Sequence, residues 1–121
     1  RKAEPQIMDN SDLRAEIDRL HAQVCSGLAD PNRILILYTL SDNAYNVSDL
    51  AKTIELPQST VSRHLKVLRD RGMVLAQRDG QSVFYSLADE RIIQALDLIR
   101  AMLASSLESQ GELARSVNQT T

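Results

Sequence analysis

Hydrophobic positions in the first third of the chain recur at helical spacing and predict two helices. The first has an apolar stripe at intervals of four, three, four and four residues, formed by Leu13, Ile17, Leu20, Val24 and Leu28. Ser11 can cap its start. The second begins at Asp30-Pro31, because aspartate accepts from free backbone N–H groups and proline fits the first helical turn. It is apolar nearly all round, which indicates a buried helix; the positions are Ile34, Leu35, Ile36, Leu37 and Leu40.

Two short helices in quick succession are predicted in the middle of the chain. Ser48 can cap the first of them, Asp49–Ile54. Leu56-Pro57 then interrupts the pattern, since proline cannot continue a helix. A second helix is predicted over Ser59–Asp70, and Gly72 is the glycine expected just beyond its carboxyl end.

The hydrophobic period then changes to two, which predicts a β-hairpin before a last helix. The two strands are Val74–Arg78 and Ser82–Leu87, and the Asp79-Gly80 dipeptide between them is typical of a hairpin turn. Asp89 can cap the last helix. Its apolar face consists of Ile92, Leu96, Ile99 and Leu103.

The order of these elements is that of a winged helix-turn-helix protein. The fold is expected to be mainly α, with a small β-hairpin wing and an extra helix at each end. We expect a loose tail over residues 1–10, a winged helix-turn-helix domain over 11–110 with terminal dimerisation helices, and a frayed tail over 111–121. The stripes of the first and last helices lie outside the compact core. Pairing both across a two-fold axis is the simplest way to cover them, which predicts a homodimer.

Composition and charge narrow the class of protein. Aromatic residues make up only 3% of the chain, so the core must be aliphatic. The net charge of -2 argues weakly against nucleic acid as a partner. The single cysteine excludes an internal disulfide. No apolar run reaches the length of a membrane span, and no signal-peptide pattern opens the chain, so we expect a cytoplasmic protein without a membrane partner.

The second of the short helices carries the candidate chemistry. A major groove admits one helix, and the face that enters must be thin and rich in hydrogen-bonding groups. Val61, Leu65 and Leu68 are expected to hold this helix to its own domain. The predicted contacts to double-stranded DNA, including the two residues that flank the hairpin turn, are Gln58, Ser59, Thr60, Ser62, Arg63, His64, Lys66, Arg69, Arg78 and Gln81. Acidic residues are concentrated instead in residues 9–18 and 89–112, so charge is segregated along the chain.

Three segments resemble the ArsR/SmtB family of metalloregulators. Leu28-Ala29-Asp30-Pro31-Asn32-Arg33 is similar to the opening of the family's second helix. The run from Gln58 to Leu68 resembles its recognition helix, and the run from Gly80 to Leu87 resembles its wing. The resemblance implies a homodimer joined through the first and last helices, repression by binding an operator, and release by an inducer. A two-fold dimer would bind an inverted repeat.

Neither of the metal sites that the resemblance suggests is evident. The helix before the turn lacks the cysteine pair that thiolate sensors of the family often carry. On the last helix, the positions matching the ligands of other members are Asp89, Arg91, Met102 and Ser105, and most of these residue types bind zinc poorly. His21 and Cys25 lie four residues apart on the first helix, hence on one face, and could form a soft-metal or thiol-redox site. The alternative is structural, with Cys25 a small buried residue and His21 partly exposed; we favour it, so no cofactor is expected, and a metal ion or thiol modification is the open alternative.

Three functions compete at this point. The leading hypothesis is a sequence-specific DNA-binding repressor released by a metal, metalloid, sulfur or redox species. The second is an architectural or protein-interaction module that senses nothing. The third is a thiol-dependent enzyme using His21 and Cys25, which the lack of a phosphate-binding loop or a triad signature disfavours.

Overall fold

The computed structural model describes residues 10–120, with side chains over residues 10–115. The tail predicted over residues 1–10 therefore lies, apart from Asn10, outside the described residues. The chain divides into two units, the first ending at Ala88 and the second starting at Asp89.

The first unit contains four α-helices and a β-hairpin. Its elements are α1 (Asn10–Leu20), a π-helical segment (His21–Cys25), α2 (Pro31–Leu40), α3 (Val47–Ile54), α4 (Gln58–Asp70), β1 (Val74–Asp79) and β2 (Ser82–Leu87). The second unit contains α5 (Arg91–Thr120). The predicted order of elements and the mainly α class with a hairpin wing are confirmed.

The stripe predicted as one helix from Leu13 to Leu28 is divided in the structure. α1 begins at Asn10, so Ser11 lies inside its first turn instead of capping it. After Leu20 the backbone widens, and the N–H of Ser26 donates to the carbonyl of His21, five residues back, at 3.1 Å. A π-type turn of this kind inserts extra backbone into a helix and rotates the side chains that follow it.

The core of the first unit is aliphatic, as the composition requires. Its fully buried side chains come from α2, α3, α4 and the start of β1, and the largest are Ile36, Leu37, Leu50, Val61, Leu65, Leu68 and Val74. Asp30 caps α2 by accepting from the N–H of Asn32 at 2.8 Å, as predicted. Leu35, predicted as buried, is 45% exposed, so α2 has one open side.

The last helix is longer than the sequence analysis expects. α5 runs from Arg91 to Thr120 and continues past Gly111, whereas the frayed tail was expected to begin at that glycine. A single glycine inside a helix costs only about 1 kcal/mol, and the surrounding residues are good helix formers, so Gly111 does not end it. Asp89 accepts from the N–H of Arg91 at 2.9 Å, which is the predicted cap.

Candidate nucleic-acid interface

α3 and α4 form the helix-turn-helix, and the turn between them is set by local backbone geometry. Asn46, two residues before the predicted Ser48, caps α3 by accepting from the N–H of Asp49 at 2.8 Å. Glu55 ends α3 in the left-handed conformation, with φ of +59°. Pro57, two residues after Glu55, directly precedes Gln58, the first residue of α4. The turn therefore comprises only residues 55–57, which forces the two helices into close contact.

α4 has an apolar inner face and a polar outer face. Val61, Leu65 and Leu68 are buried to 1% exposure or less. The exposed side chains of this helix are polar groups near its amino end, cations further along and one acid at its last residue, namely Gln58, Ser59, Ser62, Arg63, Lys66, Arg69 and Asp70. Thr60 is half-buried. Helical periodicity therefore places hydrogen-bonding groups together on the side that faces away from the core.

His64 is the one predicted DNA contact that the structure turns inward. It is 7% exposed, and its Nδ1 lies 3.3 Å from Nη1 of Arg33 in α2. Its Nε2 lies 4.0 Å from a carboxylate oxygen of Asp30. His64 follows Val61 by three residues, so it belongs to the inner face of α4, and its prediction as a DNA contact is wrong.

Two of the outer cations have local partners in the free protein. Lys66 donates to Asp70 across one helical turn at 3.1 Å, and both side chains are largely exposed. Arg63 donates to the hydroxyl of Thr60 at 3.3 Å. The exposed ion pair contributes little to stability and is screened by salt, and the bond to the hydroxyl is long. A phosphate can therefore replace Asp70 or Thr60 as the partner of the cation at small cost.

The wing carries two of the predicted contacts at its tip. β1 and β2 pair antiparallel from Val74 opposite Leu87 to Asp79 opposite Ser82. Gly80 in the turn has φ of +66°, a conformation that glycine adopts without strain. Arg78 and Gln81 are exposed at this tip, where the sequence analysis placed them.

One anchor of the wing is absent from the sequence analysis. Tyr45, in the segment before α3, forms an isolated bridge with Tyr85 of β2, through backbone hydrogen bonds of 3.1 and 2.8 Å. This bridge ties the hairpin to the helix-turn-helix. Nothing in the local pattern around Tyr45 signals it, because one bridging residue has no hydrophobic period.

The candidate sensing residues of the first helix are both on the surface. Cys25 is a free, exposed thiol, so the expectation that it is buried is wrong. It is the last residue of the π-helical segment, and its neighbour Val24 is half-buried. His21 is also exposed. Across the described part of the chain, no three His, Cys, Asp or Glu side chains lie close enough together to hold a metal ion.

At the amino end of α5, Asp89 and Arg91 form an ion pair. Asp89 is held by Arg91, whose Nη2 lies 2.7 Å from one carboxylate oxygen and whose Nε lies 3.1 Å from the other. These side-chain hydrogen bonds, together with a backbone hydrogen bond and the positive charge, lower the pKa of the Asp89 carboxyl from 3.8 to about 2. In the described structure the Asp89 carboxylate therefore pairs with Arg91 at an exposed position.

Among the helices of residues 10–120, none combines the length and the apolar character that a bilayer span needs.

Comparison with known proteins identifies the family. Residues 30–75 match the model of the bacterial regulatory protein, arsR family. The transcriptional regulator NmtR of Mycobacterium tuberculosis is 46% identical over 79 residues, which span 63% of this chain and 66%, just under two thirds, of NmtR. The transcriptional repressor SmtB homolog of Synechocystis is 32% identical over 93 residues, covering 77% of this chain and 67% of that protein.

Solved structures agree with the fold. The homodimeric winged helix-turn-helix DNA-binding domain of Mycobacterium bovis Mb0332, a possible ArsR-family transcriptional regulator, superimposes with a TM-score of 0.71 and 26% identity, covering 85% of this chain and 94% of that one. The family match at residues 30–75 includes the helix-turn-helix, and the chain belongs to the ArsR family of bacterial transcriptional regulators, which are not enzymes.

Proposed function

We propose that the chain is a homodimeric repressor that inserts α4 of each protomer into the major groove of an inverted-repeat operator. The observation that carries this proposal is the division of α4 into a buried apolar face and an exposed face of small polar and basic side chains. Small side chains at the amino end let the helix approach base edges closely, while the cations further along meet the phosphates on either side of the groove.

In this proposal, Ser62 and Arg63 read base edges and the wing contacts the backbone. Arg63 is exposed and tied only to a hydroxyl one turn earlier, so its guanidinium is available for the bidentate pairing with guanine that arginine favours. Arg78 lies next to the hairpin turn and is aimed at phosphate or the minor groove beside the main contact. The other outer contacts are Gln58, Ser59, Thr60, Lys66, Arg69 and Gln81.

The proposed dimer interface uses the apolar stripes of α1 and α5. In α1, Leu13, Ile17 and Leu20 are about half exposed, and in α5 both Ile99 and Leu103 exceed 50% exposure. Exposed apolar side chains repeated along one helix face are typical of a surface that a partner covers. A two-fold dimer places its recognition helices about one helical turn of DNA, or a multiple of it, apart.

The inducer in this proposal is a metal, metalloid, sulfur or redox species. When it acts on the repressor, the repressor leaves the operator. The exposed Cys25 thiol is the group through which an oxidant or electrophile would act, because access is a requirement for thiol modification. The alternative is a metal site at His21 and Cys25, which the addition of divalent metals to a DNA-binding assay would test.

An electrophoretic mobility shift assay tests the function. The DNA is the region upstream of the protein's own gene, with a scrambled duplex of equal length as competitor, and binding is repeated with divalent metals, arsenite, sulfide species and peroxide. We expect a discrete complex that outlasts scrambled competitor and is released by one of these additions. Equal competition by both duplexes would contradict sequence-specific binding, whereas a specific complex that survives every addition would contradict only the choice of inducer class.

A further inference from the structure

Two arginines connect the recognition helix α4 to the end of the first helix. Both donate hydrogen bonds to backbone carbonyls there. We call residues 21–27, the π-helical segment and the turn after it, the first-helix end. Arg33 from α2 and Arg71 at the carboxyl end of α4 both donate to it. A carbonyl acceptor reports the conformation of the backbone itself, so these donated hydrogen bonds depend on the shape of the segment.

Arg33 joins three parts of the domain through one planar group. Its Nε donates to the carbonyl of Gly27 at 2.7 Å, and its Nη2 donates to the carbonyl of Ser26 at 3.3 Å. Its Nη1 lies 3.3 Å from Nδ1 of the buried His64. Guanidinium is a rigid fork of donors, so moving one of its three acceptors misaligns the others.

The contact with Arg33 also fixes the proton of His64. Arginine can only donate, so Nδ1 of His64 must accept, and the ring proton of the neutral imidazole must then lie on Nε2. That nitrogen faces the Asp30 carboxylate at 4.0 Å. The middle of α4 is therefore held to the start of α2 and to the first-helix end by one polar cluster on the inner side of the helix.

Arg71 makes the second fastening at the far end of α4. Its Nη1 donates to the carbonyl of Ala22 at 2.8 Å, and its own carbonyl accepts from Nε2 of Gln23 at 3.1 Å. Gly27 permits the approach, since a Cβ there would lie 3.0 Å from Cδ of Arg71. The middle of α4, through His64 and Arg33, and its carboxyl end, through Arg71, are thus both held to one short segment. Two points of attachment fix the direction of the helix as well as its position.

We propose that Arg33 and Arg71 are positioning residues for operator recognition, which set the placement of α4 according to the conformation of the first-helix end. This inference rests on the proposed function. The first-helix end follows directly on α1, whose apolar stripe we assign to the dimer interface. A rearrangement at that interface or at the π-type turn would therefore move the carbonyls that these arginines hold, and α4 with them.

The test compares specific with non-specific DNA binding in variants that keep the aliphatic stem but lose the donors. Arg33→Met and Arg71→Met are measured by fluorescence anisotropy on a duplex selected by the wild-type protein from a random library, and on a scrambled duplex. Arg19→Met, an exposed arginine of α1, is the matched control. We expect the ratio of specific to non-specific affinity to fall about tenfold in each test variant, equivalent to about 1.4 kcal/mol, and to be retained in the control.

A second readout separates positioning from stability. Circular dichroism establishes that each variant is folded at the assay temperature, and if Arg33→Met does not fold, Arg33→Lys replaces it, since one ammonium cannot span the three acceptors. The ¹⁵N spectrum of the His64 ring should show the Nε2–H tautomer in the wild type and a mixture in the Arg33 variant. A folded Arg33 variant with an unchanged affinity ratio, or a wild-type ring protonated on Nδ1, would overturn the proposal. A wild-type protein that selects no duplex would overturn the proposed function instead, while the ring spectrum still tests the contact.

Discussion

Replacing Gly27 by alanine adds one methyl group at a crowded point of the first unit. The new Cβ would lie 2.9 Å from Sδ of Met73 and 3.0 Å from Cδ of Arg71, closer than carbon normally approaches either atom. Met73 is buried, so its side chain has little room to withdraw. Overpacking of this kind costs about 1–3 kcal/mol. Against it stands a gain of about 0.4–1 kcal/mol, because alanine restricts the unfolded chain more than glycine does.

The steric cost exceeds the entropic gain, so we expect Gly27→Ala to destabilise the protein by about 1 kcal/mol. For a unit of this size that lowers Tm by about 4–8 °C in a thermal unfolding experiment. Gly111→Ala is the control, since a Cβ there meets only Nη1 of Arg115 at an ordinary 3.5 Å and alanine favours the helix. A Gly27→Ala protein whose Tm rises as it does for Gly111→Ala would refute the close packing on which this reasoning depends.

Four further predictions concern single side chains. Arg63→Ala should weaken operator binding by about 1–3 kcal/mol, or about 5- to 140-fold in anisotropy, with Tm unchanged; full affinity would refute its contact with a base. Arg78→Ala should weaken binding to all duplexes alike and reduce the slope of log K against log salt by about one, so an altered sequence preference with the same slope would contradict a phosphate contact. Because Cys25 is exposed, Cys25→Ser should change the free energy of unfolding by less than about 0.5 kcal/mol, and the folded wild type should react at once with a thiol reagent; slow labelling would indicate burial. Asp89 should titrate by NMR near pH 2 and return toward 3.8 in Arg91→Gln, so the pair's contribution is complete above about pH 4 and is lost as pH falls through about 2; a wild-type midpoint near 4 would contradict the pairing.

The elements of the fold are predictable from the sequence because each one carries its own hydrophobic period. β2 has the predicted bounds, and α2 begins at the predicted proline. Errors occur at boundaries where two residues can serve the same purpose. Asn46 and Ser48 are both good capping residues, and only the path of the backbone decides that Asn46 accepts the hydrogen bond from Asp49.

The site is predictable where function follows from helix geometry and not where it depends on contacts distant in sequence. The outer residues of α4 follow from the positions of Val61, Leu65 and Leu68. The polar character of His64 suggests the outer face, but its spacing of three from Val61 and four from Leu68 places it on the inner face. Its partner Arg33 lies 31 residues earlier, so the cluster cannot be read from a local pattern.

Two errors at the end of the first helix have different causes. The expectation of a buried Cys25 rests on the usual burial of free cysteines, although this residue lies beside the apolar stripe and not on it. The stripe itself implies a uniform helix. The hydrogen bond from Ser26 to the carbonyl five residues back breaks the uniformity without changing the pattern of residue types. In this region the carbonyl of Ala22 accepts from Arg71 and those of Ser26 and Gly27 accept from Arg33, contacts distant in sequence that no local pattern signals.

A net charge of -2 is compatible with DNA binding because the acidic and basic residues lie in different parts of the chain. Some arginines hold the fold together, and others are exposed. Between residues 58 and 81 there are five basic and two acidic side chains, so this stretch is positive although the whole chain is not. One of the acidic residues, Asp70, pairs with Lys66, and one of the arginines, Arg71, is held by a backbone carbonyl. The cations that remain, Arg63, Arg69 and Arg78, are exposed on α4 and on the wing. Lys66 can join them, because its exposed pair with Asp70 is easily replaced by a phosphate, whereas Arg71 is held within the fold. The available positive charge of this stretch therefore lies on the face that is proposed to meet DNA.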